Sequence, residues 1–453
     1  MSFFIKKKPN LHGKSKGVKK SSKRKHLNQD DELTSSSEAE SAHSDDQDES
    51  DPDETAQAKK MRLAKAYLKE IEREVEEREE DEEQHDDLTS NEINKRLRTD
   101  YLKQSGKLRT TIADKYQGFN SENIKILRCK EHKNCITSTF ITAGNEFIFS
   151  GSKDGSIVKW SIKDLKKVGS IPFVKKSSSE TFKGHSKAIL SIAISMDNKF
   201  MAIGDETKDI QIWNPQTLEH INTLKGHRSS VTGVVFCKET HTLYSSSKDR
   251  SVKVWSLDEM AYVETLYGHH DAITSIDALS RQRAVTTGGR DATVRLWKIM
   301  EESQLIYNGP DGCLDVVKLV NEDIFVTGGD DGQLSVWSAN RKKPLCAVKE
   351  AHGLDSTNLQ PYWISSLCSL VNTDVIASGS QDGAIRIWKL SDRFRNIELL
   401  FKIPLNGFVN SLNFTSDGKF LITGVGPEHK LGRWNVLKSI KTAIVVIPLI
   451  KDS

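Results

Sequence analysis

His and Asp recur along this sequence in positions that could pair them. An imidazole oriented by a carboxylate is a familiar general acid–base couple. Gly-His pairs stand at His185, His227 and His269, with the variants Glu-His and Ala-His at His132 and His352. Asp154, Asp249, Asp291, Asp331 and Asp382 each lie six residues ahead of a Trp. A catalytic couple would occur once, and these occur in register along most of the chain. They read instead as internal hydrogen-bonding groups, each Asp accepting from a tight turn and from the neighbouring His, since a buried polar network is costly unless satisfied. Other chemistry is missing. Cys129, Cys135, Cys237, Cys313, Cys346 and Cys368 are scattered, with no C-x-x-C pair and no zinc-like His spacing. They read as reduced thiols of an intracellular protein. No Gly-rich phosphate loop and no isolated nucleophile–base set is found. The reading is a binding protein, with no enzyme activity, cofactor, metal or small-molecule substrate.

The elements that must hold these groups are short apolar strands ending in Trp. They end at Trp160, Trp213, Trp255, Trp297, Trp337, Trp388 and Trp434, successive spacings being 53, 42, 42, 40, 51 and 46 residues. Seven of the 8 tryptophans would then share one position. That period and ending match one four-stranded propeller blade. The expected fold is all-β, a seven-bladed WD-repeat β-propeller behind a disordered and partly helical N-terminal extension.

Three blades depart from the pattern. Thr207 stands at the Asp position of the second, and Glu428 at that of the seventh, within GVGPEHKLGRW. The fifth has no Gly-His pair. Either Asn123–Cys129 or Lys441–Leu449 could supply the strand that closes the ring. Two connections are long. Residues 166–182 are expected to be basic and flexible. Residues 353–364 hold Trp363, which could stack on a base or pack the loop.

Three blocks precede the repeats. Lys6, Lys7, Lys8, Lys19, Lys20, Lys23, Arg24 and Lys25 form two basic clusters, suited to a nuclear or nucleolar address or an RNA-binding arm. Residues 30–54 hold 12 acids and no Lys or Arg, so they are expected to be disordered. Ser35, Ser37 and Ser50 each have an acid three residues on, which suits an acid-directed kinase. Residues 58–87 place Met61, Leu63, Ala64, Tyr67, Leu68, Ile71 and Val75 at helical spacing, a narrow stripe of the kind that docks. A second helix is expected over about 90–106, opened by Thr89 and Glu92 as a capping box. The expected divisions are 1–57 (tail), 58–118 (helical extension) and 119–453 (propeller).

The net charge of +3 averages these segregated blocks, and with 36% hydrophobic residues no stretch approaches the twenty apolar residues of a membrane span. The first residues lack the apolar core of a secretory signal. Within the repeats, Lys153, Arg228, Lys248, Arg250, His270, Arg290 and Arg433 fall on turns expected to share one face, where a positive patch suits an RNA backbone.

The stretches KKMRLAKAYLKEIE and LTSNEINKRLRTDYLKQSGKLRTTIADKY, the loop PYWISSL and the ending VGPEHKLGRW resemble the U3 small nucleolar RNA-associated WD-repeat protein family (the U3 55-kilodalton proteins) over roughly residues 58–450. The resemblance implies a U3-specific subunit of a box C/D small nucleolar ribonucleoprotein. It implies recognition of the B/C motif of U3 RNA beside a small kink-turn-binding protein. It also implies a place in the small-subunit processome of the nucleolus, in pre-rRNA cleavages leading to 18S rRNA. The rival expectation is a protein-only adaptor propeller of the histone-binding or ubiquitin-ligase type, whose binding would not weaken steeply with salt.

Overall fold

The computed structural model describes residues 96–102, 109–175, 184–309, 312–355 and 358–452, together with positions 61, 62, 65 and 69. The basic clusters between Lys6 and Lys25, the acidic block, its serines and the Thr89–Glu92 pair lie outside the described residues. Met61, Arg62, Lys65 and Lys69 are helical and exposed. Residues 96–102 are helical as well.

The repeats fold into seven antiparallel sheets. Blade one is Ile136–Ile141, Phe147–Ser152, Ile157–Ser161 and Lys167–Ile171. Blades two to six repeat this order of strands a, b, c and d, blade three being Val231–Phe236, Thr242–Ser247, Ser251–Ser256 and Ala261–Tyr267. The a strands of successive blades touch around the ring, the last against the first. Sandwiched blades bury both faces of their middle strands, so even the polar positions of these strands, such as Lys159 and Ser335, are buried. Ile157–Ser161 and Leu334–Ser338 are buried at every position. The d strands lie on the rim, and Arg341–Val348 is exposed over its first half.

The His–Asp pairs are structural. In blade three the Trp255 Nε1–H donates to Ser245 Oγ (2.8 Å), which lies 2.8 Å from His227 Nε2, while His227 Nδ1 meets Asp249 at 3.0 Å. Blade four repeats this with Trp297, Thr286, His269 and Asp291 (2.8, 2.8 and 2.7 Å). Blade six repeats it with Trp388, Ser378, His352 and Asp382 (2.8, 2.7 and 2.9 Å). Blade one inserts Ser156 Oγ between His132 and Asp154. Blade five keeps Trp337 on Thr327 (2.9 Å), and Asp331 only caps its turn at Gln333 N–H (3.0 Å). Burial would raise the Asp291 carboxyl, but the bonds from His269 and Thr293 overcome it and hold it down at about 2.

Blade two departs differently from the sequence expectation. Asp205, two residues ahead of Thr207, takes the pairing with His185 (2.9 Å) and also accepts from the Thr207 hydroxyl. The broken link is the bridging hydroxyl. Ile203 occupies its place, and among the described residues neither His185 Nε2 nor Trp213 Nε1 has a partner.

Blade seven corrects the reading of Trp434. Its third strand is Ala443–Lys451, after Phe408–Phe414 and Phe420–Gly426, and is not the segment ending in Trp434. Trp434 is 58% exposed in the loop between the second and third strands, so six tryptophans, not seven, mark the repeat. The cause is a sixteen-residue connection, 427–442, where blades one to six use three to five residues, which places Arg433 and Trp434 outside the sheet. Ring closure uses both candidate segments. Residues 441–449 contribute to the third strand, and Lys125–Leu127 pairs outside it with Ile444–Val446. Tyr116–Phe119 pairs with Leu449–Lys451, so the ring starts ahead of the expected boundary at 119.

Two further departures concern connections. Lys167–Ile171 is the outer strand of blade one rather than flexible chain. Arg109–Lys115 is fastened to blade six. There the buried Asp374 Oδ1 accepts the backbone N–H groups of Ile112 (2.8 Å) and Ala113 (3.0 Å), and Arg109 lies over the Phe394 ring (4.5 Å).

Candidate nucleic-acid interface

In an antiparallel four-stranded blade, the b–c turn and the d–a connection emerge at the same end. The hydrogen bonds join them: Lys153 N–H donates to Cys135 O (3.0 Å) and Lys248 N–H to Ser230 O (3.0 Å). One face therefore carries both sets of loops.

The same carboxylates that hold the histidines shape this face. Asp249 accepts the Arg228 N–H (2.8 Å) and the Ser251 N–H (3.0 Å). Asp291 accepts the His270 N–H (3.2 Å). Arg228, Lys248 and Arg250 are thereby gathered on blade three, and His270 and Arg290 on blade four, all of them exposed. Arg250 sits at φ 68°, where blades one and six use Gly155 and Gly383. A side chain in this left-handed region costs about 1 kcal/mol or more. Blade three thus carries an extra cation on the face at a conformational cost. Sequence reasoning missed Lys133, Lys187 and Lys208, which are exposed on the corresponding loops of blades one and two. The signal was available in their positions beside the His and Asp markers. By contrast, the b–c turns of blades five and six carry Asp330, Asp331, Gln381 and Asp382. The exposed cations form a crescent over blades one to four.

Lys153 and Arg433 are placed otherwise. Both bind Glu428, which is 3% exposed: Lys153 Nζ donates to Oε1 (2.9 Å) and Arg433 Nε to Oε2 (2.6 Å). A buried carboxylate needs such partners. Lys153 is consequently committed to holding the blade-seven loop, while the Arg433 side chain remains 71% exposed. Lys430 of the same loop donates to Ser365 O (2.9 Å), and burial pushes its ammonium down to about 8. Burial also pushes the Asp315 carboxyl, whose charge faces Lys430, up to about 6.

The loop carries an aromatic cluster. The Trp434 ring lies 5.5 Å from Trp363 and 5.2 Å from His429, and Trp363 meets His429 edge-on at 6.0 Å. Burial pushes His429 down to about 3, so it is a neutral packing group. A cavity of about 370 Å³ opens beside the cluster, edged by the amides of Asn358, Gln360, Gln381 and Asn435. Trp363 thus both packs and lines an opening. Among the described residues no group of three His, Cys, Asp or Glu could hold a metal ion.

The geometry agrees with what known proteins show. The family model "WD domain, G-beta repeat" matches residues 123–161, 176–214, 218–256, 260–298 and 356–389. The chain is similar to human U3 small nucleolar RNA-interacting protein 2, 47% identical over 88% of this chain and 83% of that one. It is also similar to the solved RRP9 WD40 repeats (TM-score 0.71, 47% identity, 74% of this chain and 99% of that one). The solved U3-55K compares alike (TM-score 0.70, 47% identity, 73% and 100%). With the closed seven-bladed ring and nearly half its residues shared along most of both lengths, the chain belongs to the U3 small nucleolar RNA-associated WD-repeat family, the U3 55-kilodalton proteins.

Proposed function

We propose that this chain is a non-catalytic RNA-binding subunit of the U3 small nucleolar ribonucleoprotein, acting in pre-rRNA processing towards 18S rRNA. The observation that carries this reading is the crescent of exposed cations over blades one to four. It is a surface suited to phosphates, on a fold whose His–Asp pairs are consumed internally. The Trp363–Trp434 cluster adds aromatic faces on which an unpaired base can stack. The chain then recognises the B/C motif of U3 RNA together with box C/D core proteins, including the kink-turn-binding protein, and joins the small-subunit processome. The basic clusters of the tail serve as the nuclear and nucleolar address.

The test is binding to a short RNA bearing a B/C-type motif, followed from roughly 50 to 200 mM salt. Arg228→Gln, Arg250→Gln and Arg290→Gln together remove three cations. If each meets a phosphate, the slope of log K against log salt drops by roughly 2 to 3. An unchanged slope and affinity would move the RNA off this crescent.

A further inference from the structure

A second and larger cavity, about 750 Å³, opens between blades six and seven, lined by Ile126, Arg128, Leu405, Val425, Leu437 and Lys441 among others. Its origin is visible in the blade. Thr423 pairs with Val445 as Ser245 pairs with Lys253 in blade three, so Thr423 keeps the bridging hydroxyl of the His–Trp network. The other members are gone. Ile447, opposite Leu421, stands where Trp255 stands opposite Leu243. The connection into the blade, Leu405–Asn406–Gly407, brings no His. The Thr423 hydroxyl is left fully buried with no partner among the described residues. Ile447 is packed into the core, and the cavity opens beside it, against the His-less connection 405–407, with Leu437, Ser439, Ile440 and Lys441 of the loop 427–442 forming part of its wall.

The lining decides the occupant. It mixes aliphatic side chains, among them Ile126, Leu405 and Leu437, with polar and basic ones, and Tyr362 is its single aromatic, so it offers little platform for stacked bases. Ile126 on the closing strand is 56% exposed at its edge. Arg128 and Lys441 line it and Lys125 and Lys438 stand exposed in the same segments. The one acid in the lining, Asp382, is spent on His352 (2.9 Å) and Arg386 (3.0 Å). We propose that this groove docks a short segment of a protein partner that inserts an aliphatic side chain and carries Asp or Glu beside it. The site lies on blades six and seven, away from the cationic crescent on blades one to four, and meets the opening beside the Trp363–Trp434 cluster at Tyr362 and Gln381.

The test is selection of a phage-displayed library of random dodecapeptides on the full chain. Peptides joining Leu, Ile, Val or Met to Asp or Glu should enrich. Each should lose at least tenfold in affinity on Ile126→Glu and on Lys441→Glu. Both variants should keep the wild-type melting temperature and the salt-dependent RNA binding, so a failure here is distinct from a failure of the RNA reading. The proposal is overturned if nothing enriches, if basic peptides enrich, or if the selected peptides ignore both variants. Binding of a twelve-nucleotide RNA that Ile126→Glu abolishes would overturn it too, in favour of nucleic acid.

Discussion

Replacing Ile203 by Thr should be nearly free, although Ile203 is wholly buried. In blade two the Trp213 indole N–H and His185 Nε2 face a position that holds Ser245 in blade three and Thr286 in blade four, and both lack partners among the described residues. A Thr hydroxyl there accepts from the indole and donates to the imidazole, whose Nδ1 already meets Asp205 at 2.9 Å. Loss of apolar burial in an Ile→Thr exchange costs roughly 2–3 kcal/mol. Relieving a buried unsatisfied group returns about 1–3 kcal/mol, and two are relieved. The return of about 2–6 kcal/mol against a cost of about 2–3 kcal/mol means a net loss of no more than about 1 kcal/mol. Ile212 is the control, because it is equally buried in the same blade while strand alternation puts its side chain on the face opposite those of Gln211 and Trp213, which carry the unpartnered atoms. Ile212→Thr should cost about 2–4 kcal/mol. Urea midpoints at constant slope measure both. Slower exchange of the Trp213 indole proton should accompany Ile203→Thr. Equal losses in the two variants, or an unchanged indole proton, would refute the account of blade two as a network missing one hydroxyl.

Two other outcomes follow from the site. Trp434→Ala should weaken RNA binding several-fold without lowering the melting temperature, since the side chain is 58% exposed and stacking on one base is worth about 1–3 kcal/mol; a stability loss with intact RNA binding would return Trp434 to packing alone. Acid should destabilise the ring early, because burial pushes His132 down to about 4, His429 to about 3, and His269 and His352 down as well. At these histidines the folded state binds fewer protons than the unfolded one below pH 6.5, so their contribution to stability is constant above that pH and falls as pH drops towards 4. The fall is about 1.4 kcal/mol per pH unit for each histidine once well inside the window. Urea midpoints at pH 7.5 and 5 measure it, His429→Gln should shallow the fall, and equal midpoints would contradict the burial argument.

The ring was legible in the sequence because its blades repeat one solution to one problem. A Trp buried between sheets needs a hydroxyl, the hydroxyl needs a His, and the His needs an Asp, so four residue types recur at fixed spacing. The closing strand was legible only as a choice, since pairing between the ends of a ring leaves no local mark. Lys125–Leu127 and Ala443–Lys451 carry the same apolar signature as any strand. Asp205 was missed because hydrogen bonding specifies where an oxygen must be and not its place in sequence. The turn is as long as in blade three, and the carboxylate reaches the imidazole from the end of the second strand, two residues earlier.

Trp434 was misread for a deeper reason. Spacing counts residues, whereas a blade counts strands, and an insertion can restore the count while moving the Trp out of the sheet. Blade seven had already given up the network that such a Trp would complete, as the unpartnered Thr423 hydroxyl shows. An indole entering the blade would meet the Thr423 hydroxyl but no His or Asp behind it to complete the network. The freed loop is instead held by Glu428, through Lys153 of blade one, and by Lys430 on Ser365 between blades five and six. The ring closes on the blade with the weakest internal network, and the loop that replaces that network ties this blade to its neighbours on both sides. A single insertion therefore accounts for the misplaced Trp, the aromatic cluster at the face and the open groove beside it.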